Sequence, residues 1–88
     1  MNNIEARQIL GAELESFERR SHAELAHEVN ENLSYEIKGA SGAHYQIEIL
    51  VLWDSEPDGA IRVIGFIDDG SWQAFLPLTD SILKYPSE

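Results

Sequence analysis

The sequence predicts an α+β domain of two layers: an N-terminal helix or helix pair packed on a three-stranded antiparallel meander, with a short helical turn closing the chain (order α-β-β-β-α). Three observations predict it. Apolar residues recur at helical spacing through the first third of the chain, the period drops to two at Asn32, and two turn-forming clusters, 39–43 and 54–59, divide the rest of the chain into three runs. A chain of 88 residues makes one domain over 1–88. With 43% apolar and 25% charged residues its composition is that of a folded globular protein, too apolar to be disordered.

Ala6, Leu10, Leu14 and Phe17 step by four, four and three, which lays them on one stripe of a helix over residues 3–19. Glu15 and Arg19 support it as an i,i+4 pair. Ser21-His22-Ala23-Glu24 reads as a capping box that opens a second helix over 22–31, and Leu25 and Val29 are rotated off the first stripe, as a break requires. A single kinked helix is the alternative. Leu33, Tyr35 and Ile37 then alternate with Ser34, Glu36 and Lys38, and Tyr45, Ile47, Ile49, Val51 and Trp53 share a face of a long second strand. Ile61, Val63, Gly65 and Ile67 do so in a third. Antiparallel partners point the same way, so the expected register is Trp53–Ile61, Val51–Val63, Ile49–Gly65 and Ile47–Ile67, with Leu33–Ile49 and Tyr35–Ile47 in the first hairpin. Residues 79–84, after Pro77, read as the closing helical turn. The other face of the sheet carries Glu36, Gln46, Glu48 and Asp68, but also Leu50, Leu52, Ile64 and Phe66. Trp72, Phe75, Leu76 and Ile82 are expected to fold over that apolar half.

Sixteen acidic side chains against six basic ones give a formal charge of −10. That charge opposes binding to nucleic acid, whose affinity comes from cationic side chains displacing counterions, and to anionic membrane surfaces. No apolar run approaches the ~20 residues of a membrane-spanning helix. The first residues lack the basic and apolar regions of a signal peptide, and with no cysteine there is no disulfide or thiolate chemistry, so the expected setting is cytoplasmic. The Asn32-Leu33-Ser34 triplet matches a glycosylation acceptor, which has no meaning there.

No constellation supports catalysis or a cofactor. Residues 54–59 resemble the start of a calcium loop, but its twelfth position falls on Gly65 in mid-strand where a bidentate glutamate is needed. His22 and His27 are five apart, about 140° round a helix, and cannot share a metal. His44 stands alone opposite Lys38, and the adjacent Asp68 and Asp69 point to opposite faces. Gly39-Ala40-Ser41-Gly42 leads into a strand where a phosphate cradle leads into a helix. The expectation is no enzyme, no metal and no cofactor. What remains is organised charge: Glu24, Glu28 and Glu31 along one face of the second helix, and Asp54, Glu56 and Asp58 at the tip of the second hairpin.

Asn32-Leu33-Ser34-Tyr35, Tyr45-Gln46-Ile47-Glu48-Ile49, Val51-Leu52-Trp53, Ile61-Arg62-Val63-Ile64-Gly65, Ile67-Asp68-Asp69-Gly70, Trp72, Ala74-Phe75 and Pro77-Leu78-Thr79 together resemble a family of short uncharacterised bacterial proteins. The resemblance spans roughly residues 13–83 and implies an autonomous bacterial domain; it carries no activity or site. The element order is also similar to that of double-stranded-RNA-binding domains, whose basic last-helix start is replaced here by Thr79, Asp80 and Ser81. By elimination the expected function is protein–protein interaction: a small acidic module of the inhibitor, immunity or DNA-mimic kind that docks its six acidic residues on a basic partner. The alternative is a structural protein that self-associates as a weak homodimer through Leu50, Leu52, Ile64 and Phe66 and the edge of the third strand.

Overall fold

The computed structural model of the chain describes residues 1–70 and 77–88. Helices α1 (Asn3–Glu18) and α2 (His22–Ala26) lie on one face of a four-stranded antiparallel sheet of β1 (Asn32–Lys38), β2 (His44–Trp53), β3 (Ile61–Asp68) and β4 (Leu78–Lys84), in spatial order β1-β2-β3-β4. The two helices are separate. Asn2 caps α1 by accepting from the Glu5 amide, and the Ser21 side chain caps α2 by accepting from Glu24 N at 3.1 Å. The Glu24 carboxylate returns to the Ser21 hydroxyl and not to its amide, so only half of the expected box forms.

Two elements differ from the sequence expectation. The second helix stops at Ala26, and residues 27–30 form a turn that ends in Asn30 at φ 72°, a left-handed conformation asparagine tolerates, with its amide donating to Val51 O at 2.7 Å. The chain after Pro77 is a fourth strand where a helical turn was expected. It pairs with β3 from Ile61↔Lys84 to Ile67↔Leu78, and the physical reason is clear: one isolated helical turn bears the full nucleation cost, whereas β3 offers a row of unpaired backbone groups. The third strand is therefore interior. The sheet has four strands and not three, and the resemblance in element order to double-stranded-RNA-binding domains is lost, because a strand closes the chain where they place a helix.

All six strand pairs expected from the pattern are present. Ile47, Ile49, Val51, Ile61, Val63 and Ile67 point to the helices and are fully buried, together with Ala6, Leu10, Leu14 and Phe17 of α1 and Leu25 of α2. Gly65 makes this fit possible. A Cβ there would lie 2.7 Å from Leu10 Cδ1 and 3.2 Å from Leu14 Cδ2, so the missing side chain lets α1 settle onto β3. At the far end of α1, buried Lys84 of β4 donates to Glu18 O at 2.7 Å, a cation on the negative end of the helix dipole. Among the described residues, no helix is long and apolar enough to cross a membrane.

Candidate functional site

The structure brings the two acidic segments of the sequence to one end of the molecule. The link is His22, whose Nε2 lies 2.7 Å from Gly59 O in the β2–β3 turn and whose ring packs at 6.0 Å from that of Trp53. This contact seats the start of α2, and with it Glu24, Glu28 and Glu31, beside the turn that carries Asp54, Glu56 and Asp58. Asp58 is part of the turn itself: its φ of 67° suits an aspartate, and the next amide, Gly59 N, closes on Glu56 O at 3.1 Å.

The six carboxylates are not equivalent. Because α2 ends early, Glu24, Glu28 and Glu31 do not share a helical stripe as the sequence implied. Glu28 is held by Arg20, whose Nη1 donates to both its oxygens at 2.5 and 2.6 Å while the guanidinium lies 4.6 Å over the Phe17 ring. Asp54 is held by Arg62 Nε at 2.7 Å, and the same guanidinium reaches Ser81 Oγ at 2.8 Å. The Glu24 carboxylate accepts from the hydroxyl of Ser21, the residue that caps its helix. Glu31 and Glu56 make no ion pair among the described residues. The two arginines carry no signal in the sequence, since each partner is eight residues away across a helix break or a turn.

The second candidate surface is the outer face of the sheet. Leu50 and Ile64 are direct partners as expected, and Leu52 and Phe66 lie beside them, all half-buried. Leu83 joins them, because it pairs with Arg62 and so points outward. Ile82 does not cover this face. It pairs with Val63, points to the helices and packs on the core, so its expected place is corrected by the fourth strand. Trp72, Phe75 and Leu76 lie outside the described residues. Beside the apolar group is a half-open depression of about 240 Å³ lined by Ser34, Gln46, Ile47, Glu48, Phe66, Asp68 and Pro77.

The residues with shifted titration lie elsewhere, between α1 and the first two strands. Glu5 accepts from the Ser41 hydroxyl at 2.6 Å, the Tyr45 hydroxyl at 2.7 Å and the Ser41 amide at 3.0 Å, and these bonds hold its carboxyl below the usual range. The same carboxylate, with burial, pushes Tyr45 up to about 12. Burial first, then the 2.7 Å bond to Glu13, raises Tyr35 as well. These pairs tie the helix to the sheet. The histidines are apart: His22 is on Gly59 O, exposed His27 stands off it, and His44 Nδ1 is 3.0 Å from Glu36. Among the described residues no three His, Asp or Glu side chains could hold a metal ion. Compared with known proteins, the chain matches no family model, no curated protein and no solved structure.

Proposed function

We propose that this chain is a small acidic interaction module of a bacterial cytoplasm, without catalytic activity, that docks on a basic protein in the manner of an inhibitor, an immunity protein or a DNA mimic. The observation that carries the reading is the contact of His22 with Gly59 and Trp53, which gathers two acidic segments from distant parts of the chain onto one end. Arg20 and Arg62 fix Glu28 and Asp54 in place, so the array is partly preorganised, and Glu31 and Glu56 keep their charge for a partner. The test is capture of a partner from a bacterial lysate at about 50 mM and about 500 mM salt, with the chain and with a Glu24→Lys, Glu31→Lys, Glu56→Lys variant. A partner held at low salt, lost at high salt and lost with the variant supports the reading. One held equally in all three conditions removes it.

A second reading, self-association through the outer face, is favoured by Leu83, which extends Leu50, Leu52, Ile64 and Phe66 onto a third strand. Edge pairing of β3, which the sequence suggested, is not its route, since β4 occupies that edge. Light scattering tests it: a mass above 9.9 kDa that rises with salt and returns to 9.9 kDa on Phe66→Glu supports a dimer, and 9.9 kDa throughout removes it.

A further inference from the structure

The sheet has two edges, and they are guarded differently. Strand β4 has α1 lying over it, and two charged residues, Asp80 and Lys84, stand on its helix side. Strand β1 lies outside the cover of α1, and its two charged residues, Glu36 and Lys38, stand on the outer side, where Glu36 is held by His44 and Gln46. The strand pairs with β2 without a bulge over all seven residues and contains no proline. Gly39 N donates to Ala43 O at 2.7 Å and Val51 N to Glu31 O at 3.5 Å, so the odd-numbered residues of this ladder bond to β2. The N–H and C=O groups of Asn32, Ser34, Glu36 and Lys38 therefore point away from the sheet.

Both faces beside that edge are prepared for side chains. On the helix side Leu33, Tyr35 and Ile37 are only half-buried, because α1 lies over β3 and β4. On the outer side Ser34 is opposite Glu48, and both line the depression with Phe66 and Asp68. Glu48 makes no ion pair among the described residues, and Asp68 Oδ1 accepts the Gly70 amide at 2.8 Å. The small serine leaves the way from the edge open. A strand added outside β1 would run about 10 Å from the Glu48 backbone, a span that an arginine or lysine and a glutamate bridge together. At about 240 Å³ the depression suits one such side chain and is too small for most ligands.

We propose that β1 is a strand-addition site for an extended basic segment, taken up antiparallel as a fifth strand, with one arginine or lysine opposite Ser34 entering the depression between Glu48, Asp68 and Phe66 and the alternate apolar side chains covering Leu33, Tyr35 and Ile37. The depression lies roughly 20 Å along β2 from the 54–59 turn, whereas Glu31 directly precedes β1, about 10 Å from Ser34; the proposal does not rest on the function proposed for the acidic array.

The test measures binding of a capped seven-residue peptide of alternating valine and arginine to the full chain, against the valine–glutamine analogue and arginine amide. The arginine peptide should bind at least ~10-fold more tightly than either control. Ser34→Pro removes one outward N–H and no ladder bond, and should weaken binding ~10-fold or more; Glu48→Gln should weaken it several-fold with the circular dichroism spectrum unchanged. A Glu24→Lys, Glu56→Lys variant, which leaves Glu31 beside β1 in place, should stay within about threefold of the parent at about 150 mM salt, so the two sites fail or survive separately. Should Ser34→Pro not fold, the decision passes to the unaltered chain, where the peptide must slow amide exchange at Ser34 and Glu36. Absence of binding at millimolar peptide overturns the proposal. So does affinity indifferent to Ser34→Pro and Glu48→Gln, or matched by arginine amide.

Discussion

The two faces of the sheet are built from the same four strands and obey opposite rules. On the helix side every position of β2 and β3 from Ile47 to Val51 and from Ile61 to Ile67 is either a fully buried aliphatic residue or Gly65, and two α1 leucines fill the space that glycine leaves. On the outer side Leu50, Leu52, Ile64, Phe66 and Leu83 are half-buried and mixed with Gln46, Glu48, Arg62 and Asp68. The inner face commits its residues to packing, where one methylene matters, and the outer face holds its apolar residues half-buried among polar ones.

Ile49→Ala sharpens the comparison most. It removes a fully buried side chain between Leu33 and Gly65 and should cost about 2–5 kcal/mol in chemical denaturation, whereas Leu50→Ala, one residue on and facing outward, should cost well under half as much. Equal losses would show that both faces are packed alike. Gly65→Val comes next: its methyl groups must displace Leu10, Leu14 and Ile49, and overpacking of this kind costs about 1–3 kcal/mol. An unchanged denaturation midpoint would mean that α1 is less closely seated than its contacts indicate. Lys84→Met keeps the buried stem and removes the bond to Glu18 O, so a loss of about 1–2 kcal/mol is expected from a charge-assisted bond at a helix end.

The inner face was legible in the sequence because period-two alternation fixes which residues share a side, and a one-residue slip would have exposed Ile47, Ile49 and Val51 together. The helix break was legible through Ser21 and Glu24. What was not legible depended on partners distant in the chain. Residues 79–84 alternate too briefly to announce a strand, and only the open edge of β3 makes them one. Glu28 looked like a member of a solvent stripe until Arg20 folded across Phe17 to meet it. Within the acidic array the segments could be read from composition, but their meeting could not, since it rests on contacts between residues far apart in the chain, among them His22 reaching a glycine carbonyl 37 residues away and Asn30 bonding to Val51.

The smallest effect concerns the clasp that closes the inner layer beside its first hairpin. Glu5 reaches across from the first turn of α1 to Ser41 and Tyr45, and a Cβ on Gly39 would stand 2.7 Å from Glu5 Oε1, so a side chain there would push the carboxylate off its donors. The folded state favours the ionised carboxylate, since three donors point at it. The unfolded chain therefore binds the proton more readily, and stability from this group is present above the ordinary value of 4.5 and falls as pH drops below it. Tyr45 works at the opposite limit. Its raised value means the folded state keeps the phenol neutral, so its contribution is intact below pH 10 and declines as pH rises from there to about 12. Glu5→Gln keeps the acceptor oxygen and takes away the titrating carboxyl, so it removes the acid dependence, and it reduces the alkaline one without abolishing it, because a hydrogen bond and burial still favour the neutral phenol. Denaturation midpoints measured from pH 3 to pH 11 should show the parent losing more stability than the variant at both extremes, by a margin smaller than any of the core substitutions. Parallel profiles would mean that the clasp is no more than a surface contact, and that the inner face is closed by its aliphatic residues alone.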